Sequence, residues 1–179
     1  MKQFASRAGE KLQFALDEFK TSVDGLICAD FGSSTGGFTD CLLRNGAKKV
    51  YCVDTAYGEL AWKLRKDARV AVMERTNAMH VTLPEKVDLI TIDVGWTKQK
   101  NILPNAFANL KDEGLVVSLI KPHYEAGKAR LEVKQVEQVL QVVQEEIQKL
   151  GGVVEQLVES PVKGSRAKNR EILALIKKV

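Results

Sequence analysis

The sequence predicts an α/β domain on a seven-stranded, mostly parallel sheet with helices on both faces, and three observations predict it. Short apolar runs alternate with segments of helical period along almost the whole chain. Several runs, "VDLITIDV" most clearly, are apolar at nearly every position, as strands covered on both faces must be. The last two runs, "VVEQLVES" and "REILALIKKV", are joined only by "PVKGSRAKN", a connection short enough for an antiparallel pair.

The elements follow in order. From Ser6 to Lys20, Leu12, Ala15, Leu16 and Phe19 fall at helical spacing. "GLICADFG" reads as a buried strand, Gly36 to Asn45 as a helix closed by Gly46, and "KVYCVDT" as the second strand. Gly58 to Lys66 reads as helical, "VAVMERT" as the third strand and "VDLITIDV" as the fourth. "NILPNAFANLKDEG" is expected to be a helix closed by Gly114, and "LVVSLIKP" a fifth strand stopped by Pro122. From Glu132 to Leu150, Val136, Leu140, Val143, Ile147 and Leu150 share one stripe, the longest helical pattern in the chain. Right-handed crossovers then put ligands at the C-terminal edge of the parallel strands. Residues 1–24 form an N-terminal helical segment and residues 25–179 the sheet domain, expected to act as one structural unit.

Composition narrows the class. An apolar fraction of 45% with 28% charged residues argues against disorder in a chain of 179 residues. The net charge of +4 suits a polyanionic partner without requiring one. Cys28, Cys41 and Cys52 contain no CxxC pair and two lie in apolar runs, so buried reduced thiols are expected. "MKQFASRAGEK" has no apolar leader-like region, and no segment approaches the ~20 apolar residues of a membrane span. A cytoplasmic protein without membrane partners is the expectation.

"DFGSSTGGFTDCL" carries the ligand argument. Gly32, Gly36 and Gly37 let backbone approach a ligand after the first strand. A phosphate-binding loop would end in GK[ST], but Phe38 and Thr39 follow Gly37; a dinucleotide loop would read GxGxxG, and the spacing here differs. Asp30, at the strand end, would repel a pyrophosphate and attract a cation. S-adenosylmethionine carries an ammonium and a sulfonium and no phosphate, so it suits this loop. Asp54 closes the second strand where ribose hydroxyls of an adenosine would need an acceptor.

"SRAGEKL", "DFGSSTGGFTDCLL", "VYCVDTAYGEL", "ERTNAM", "LITIDV", "LIKPHYEAGK" and "NREILALI", in this order, resemble the haemolysin A-like (TlyA-type) branch of the FtsJ-like RNA ribose 2′-O-methyltransferases. The resemblance implies a Rossmann-like methyltransferase domain that moves a methyl group from S-adenosylmethionine to a ribose 2′-hydroxyl, usually of ribosomal RNA. It implies a Lys-Asp-Lys-Glu tetrad at Lys11, Asp93, Lys121 and Glu171. It further implies cofactor contacts from Gly36 and Phe38, with Gly32, Ser33 and Gly37 in the same loop, Asp54 on ribose, Asn77 near adenine and Asp93 near the methionine end.

A ribose hydroxyl is a weak acid and needs a positioned base as it attacks the sulfonium methyl. An amine serves only when neutral, a state that burial and a neighbouring ammonium favour and nearby acids oppose. Lys121 is the expected base with Lys11 its partner, Asp93 positions Lys121 and the donor, and Glu171 fixes Lys11 or the ribose. Arg7, Lys163, Arg166, Lys168 and Arg170 are expected to grip RNA phosphates. Trp96 and Tyr124 follow adjacent strands and suit either base stacking or core packing. His80 and His123 lack metal-ligand company.

Three features depart from the family pattern. The chain starts just before "SRAGEKL", without the S4-type RNA-binding domain common in the family. The polar "GWTKQKN" follows "TIDV" where Ser-Phe and an apolar run are usual, and the loop after "LIKPHYEAGK" is shortened and lacks the family's glycines. These departures keep open a cofactor-binding, RNA-associated module without catalysis. A small-molecule methyltransferase has no need of two lysines and a glutamate at these places. A haemolytic pore-former would need a signal sequence, a span or a cationic amphipathic helix, none of which the sequence offers.

Overall fold

The apolar runs pair into one seven-stranded sheet in the computed structural model, which describes residues 3–162 and 169–179. In chain order the elements are α1 (Ala8–Glu18), β1 (Ile27–Phe31), α2 (Gly37–Arg44), β2 (Lys49–Val53), α3 (Trp62–Arg65), β3 (Val70–Met73), β4 (Val87–Ile92), α4 (Gln99–Asn109), β5 (Leu110–Ile120), α5 (Pro122–Glu125), α6 (Val133–Lys149), β6 (Gly152–Glu159) and β7 (Ile172–Lys178). The strand order is β3-β2-β1-β4-β5-β7-β6. The first five strands are parallel, and β7 runs antiparallel to both β5 and β6. The order reverses between β1 and β4, and a ligand site is expected at such a switch point, beyond the strands' C-terminal ends.

Alternation along the strands divides the core into two layers. Phe31, Ile90, Ile92, Val116, Ile120 and Ile176 face one layer with Ile102 and Phe107 of α4 and Val143 and Ile147 of α6. Cys28, Val50, Leu89, Val117 and Leu175 face the other, with Leu12 and Leu16 of α1 and Phe38 and Leu42 of α2. All three cysteines are buried and free, and burial pushes the thiols of Cys28 and Cys41 up to about 12. They are inert packing groups at neutral pH.

Three elements differ from the sequence expectation. The helix expected from Gly58 to Lys66 is a single turn at Trp62–Arg65, because Gly58 turns the chain at φ +80°. The helix expected to close at Gly114 ends at Asn109, and Leu110 already pairs with Val87 in the sheet. Asn109 terminates it: its Nδ2 donates to Val81 O (3.0 Å) and Asn105 O (2.8 Å), and its Oδ1 accepts from Leu83 N–H (2.9 Å). A register shift then separates the Val87–Leu110 pair from Leu89–Leu115, which is how "KDEG" is accommodated within a strand. The short α5, unforeseen, starts at Pro122, whose missing N–H costs nothing in a first helical turn.

Asp30 is completely buried beneath the second layer. Its two oxygens accept from Thr39 Oγ1 of α2 (2.7 Å) and Thr91 Oγ1 of β4 (3.0 Å), so the carboxyl pins α2 to the centre of the sheet. Burial raises its pKa from 3.8 to about 6, the two hydroxyl donors oppose the rise, and the charge of Asp93 adds to it. A folded-state pKa above the unfolded value means the native protein binds more protons between about pH 4 and 6, so stability falls as pH rises through that window. Asp30→Asn removes this dependence. In urea titrations the variant should gain on the parent by up to about 3 kcal/mol between pH 4 and pH 7, and a constant difference between the two proteins would refute the assignment.

Candidate functional site

The site begins in the turn after β1. Gly32 sits at φ +85°, and a Cβ there would lie 2.5 Å from the carbonyl oxygen of Asp93. Only glycine therefore lets the β1 turn lie against the end of β4. Gly32 and Ser33 donate N–H groups to Val53 O (2.8 and 3.2 Å), which carries the turn over to β2. Asp54, one residue past β2, accepts Ser34 N–H on Oδ2 and Ala56 N–H on Oδ1, both at 2.8 Å. A carboxylate has about four acceptor positions, so each oxygen of Asp54 keeps capacity for a ligand hydroxyl.

These turns enclose a cleft of about 500 Å³ whose lining includes Gly32, Ser33, Gly37, Phe38, Asp54, Asn77 and Asp93. Asn77 spends its Oδ1 on Met79 N–H (2.9 Å) in a local turn. The carboxylates of Asp54, Glu59 and Asp93 line the cleft, and no Lys, Arg or His among the described residues does. A phosphorylated nucleotide finds no countercharge in such a space. A cationic, phosphate-free adenosine compound is compatible with it.

Two residues named for the cofactor do not line the cleft. Asp30 is completely buried with its carboxyl committed to Thr39 and Thr91, so the cation-attracting wall is supplied by Asp54, Glu59 and Asp93. Gly36, at φ +97°, is a turn residue whose absent Cβ leaves room for Leu60 and Leu64. Glu59 was not singled out from the sequence. It accepts from Ser34 Oγ (3.3 Å), and it lies in the "VYCVDTAYGEL" stretch, a few residues beyond Asp54.

A larger groove adjoins the cleft and shares Ser34, Glu59 and Asp93 with it. Lys11, Asp93, Lys121 and Glu171 all line this groove. They form two ion pairs: Lys11 Nζ to Glu171 Oε2 at 2.5 Å and Lys121 Nζ to Asp93 Oδ1 at 2.6 Å. Lys121 also donates to Val94 O (3.2 Å). Lys11 reaches the groove because α1 lies close on α2: a Cβ at Gly37 would come within 3.0 Å of Ala8 Cβ and Gly9 N. Lys11 and Glu171 are both buried, so neither charge has water to replace its partner.

Aromatic and basic groups rim the groove. Trp96 is 78% exposed, which excludes core packing, and its indole stacks on Tyr124 with ring centroids 4.4 Å apart. Its backbone is left-handed at φ 60°, uncommon for a bulky residue. His123 contacts the Tyr124 ring, and its pKa is lowered by burial, with Lys121 adding and Glu171 opposing. Arg7 lines the groove, while Arg170 donates to Glu159 (2.6 Å). Lys163, Arg166 and Lys168 lie outside the described residues.

The sheet order, the reversed last strand and a cleft at the β1–β4 switch point together define a Rossmann-like methyltransferase domain. The chain belongs to the FtsJ-like methyltransferase family, which it matches over residues 4–177. It is closely related to the TlyA and hemolysin A-like members. Hemolysin A of Brachyspira hyodysenteriae is 45% identical over 130 residues, 70% of this chain and 54% of that protein. The 16S/23S rRNA (cytidine-2'-O)-methyltransferase TlyA of Mycobacterium tuberculosis is 42% identical over 132 residues, 72% of this chain and 49% of that protein. The chain thus spans about half the length of these curated relatives. A solved structure from Streptococcus thermophilus, provisionally named a hemolysin, superposes with a TM-score of 0.95 at 39% identity, covering 100% of this chain and 68% of that one.

Membership makes S-adenosylmethionine the expected cofactor, in keeping with the acidic, cation-free cleft. No described helix is long and apolar enough to cross a membrane. Calorimetry with S-adenosylmethionine should show Asp54→Ala binding at least about tenfold more weakly than the parent, the worth of hydrogen bonds to a charged acceptor. Equal affinities would remove Asp54 from the cofactor site.

Proposed function

We propose that the protein methylates a ribose 2′-hydroxyl of RNA, most readily ribosomal RNA, using S-adenosylmethionine. The observation that carries this reading is the convergence of the two Lys-carboxylate pairs on one groove that meets the acidic cleft at Asp93. A small-molecule methyltransferase has no use for a groove of about 1280 Å³ with the Trp96–Tyr124 stack and the exposed cations Arg7 and Lys128 in its lining. The name of the Mycobacterium tuberculosis relative supports the same substrate class.

S-adenosylmethionine supplies an electrophilic methyl group on a sulfonium. Asp93 lines both spaces, so it would face that positive centre from the cleft while it holds Lys121 at the groove. Lys121 Nζ, in its neutral form, receives the proton of the attacking 2′-hydroxyl and releases it to solvent through the open groove. Glu171 fixes Lys11, whose ammonium stands near the attacking oxygen and stabilises the negative charge that develops there. Much of the acceleration would come from alignment, because the cleft and groove would hold donor and acceptor on the two sides of Asp93. The Trp96–Tyr124 stack offers a flat face to a base beside the reacting ribose.

Transfer of labelled methyl groups to ribosomal subunits, followed by mapping of 2′-O-methyl positions, tests the reading. Lys121→Ala should lower the rate by roughly a hundredfold or more with S-adenosylmethionine affinity retained, and Lys121→Arg should not restore it, because a guanidinium stays protonated. Transfer that survives loss of Lys121 would refute its role as base. A methyl group found on a base nitrogen or carbon would refute the ribose reading.

A further inference from the structure

His123 and Asn169 line the catalytic groove and also a second, smaller cavity of about 180 Å³. Arg130 and Arg170 supply the remaining polar walls of that cavity, and the rest of its lining is apolar. Among the described residues no carboxylate lines it. Two guanidinium groups, an amide and an imidazole around a space of this size form a donor-rich pocket matched to a small oxyanion.

The four residues are differently prepared for that task. Arg170 is oriented by its ion pair with Glu159, and the charge of Glu137 also acts on it, yet one pair leaves other guanidinium donors unspent. Asn169 Nδ2 donates to Ala129 O (3.1 Å), which ties the chain segment before Arg130 to the segment before β7. Arg130 is exposed and has no ion pair or hydrogen bond among the described residues. His123 Nδ1 is buried and has no hydrogen-bond partner among the described residues, whereas buried polar atoms nearly always have one. The cavity thus keeps a cationic wall whose guanidinium donors are largely unspent.

We infer that His123, Arg130, Asn169 and Arg170 form a subsite for one backbone phosphate of the RNA strand whose ribose enters the adjoining groove. This rests on the RNA reading above and adds the place where the strand is gripped. The walls that the cavity shares with the groove make a phosphate there continuous with a strand lying across Lys121. Such a contact fixes the register of the strand and carries no sequence information itself.

The test measures binding of a fluorescein-labelled single-stranded ribo-oligonucleotide to the full chain over a series of salt concentrations. Arg130→Ala should weaken binding several-fold at low salt and reduce the slope of log K against log salt by about 0.7, the value for one phosphate contact on a single strand. Arg130→Lys should keep most of the slope. Lys48→Ala, an exposed cation at the opposite end of the strands, should leave the slope unchanged. Calorimetry with S-adenosylmethionine should be identical for parent and variants, showing an intact fold. An unchanged slope for Arg130→Ala, in a parent that binds RNA, would overturn the subsite alone. A parent that binds no RNA would overturn the RNA reading and the subsite with it.

Discussion

The ion pair between Asp93 and Lys121 joins the ends of two neighbouring parallel strands at the boundary between two spaces. β4 ends at Ile92 and β5 at Ile120, so each partner stands one residue beyond its strand and the pairing of β4 with β5 sets the separation of the charges. Lys121 N-caps α5, and the Asp93 carbonyl is what forbids a side chain at Gly32. The β1 turn, the acidic cleft and the groove thus meet at the strand ends that this pair joins. Removing either partner leaves a partly buried charge uncompensated, which costs more than the pair contributes.

Charge is partitioned across the site in a way that matches two unlike ligands. The cleft has carboxylates and no cation among its described lining, suited to a sulfonium and an ammonium. In the groove Lys11 and Lys121 are each matched by an acid, so its interior is close to balanced. Farther out stand Arg7, Lys128 and Arg130, exposed or partly exposed, where a polyanion would first meet the protein. Moving from the cleft to the rim, the lining passes from acidic through balanced to basic.

Much of this was legible because the chemistry forces it. β1 and β4 must be apolar on both faces, and "ICADF" and "VDLITI" say so directly. The position of Asp54 after β2 also followed from strand order. The direction of Asp30 was hidden for the same reason that its strand was visible: when both faces are apolar, alternation no longer says which side a residue takes. Its partners, Thr39 and Thr91, come from a helix and from a strand about sixty residues away. The beginning of β5 was obscured because "KDEG" is absorbed by a register shift, a tertiary event with no local pattern. Family resemblance brought Lys11 and Glu171 forward, but their pairing, across 160 residues of chain, depends on α1 folding back over α2 at Gly37.

The claim that cleft and groove are two halves of one site is tested most directly by a crystal structure with S-adenosylhomocysteine bound. The adenosine should lie in the cleft with its ribose hydroxyls on Asp54, and the sulfur should stand beside Asp93, open toward Lys121 across the shared wall. A ligand whose sulfur is turned away from the groove, or walled off from Lys121 by protein, would contradict it.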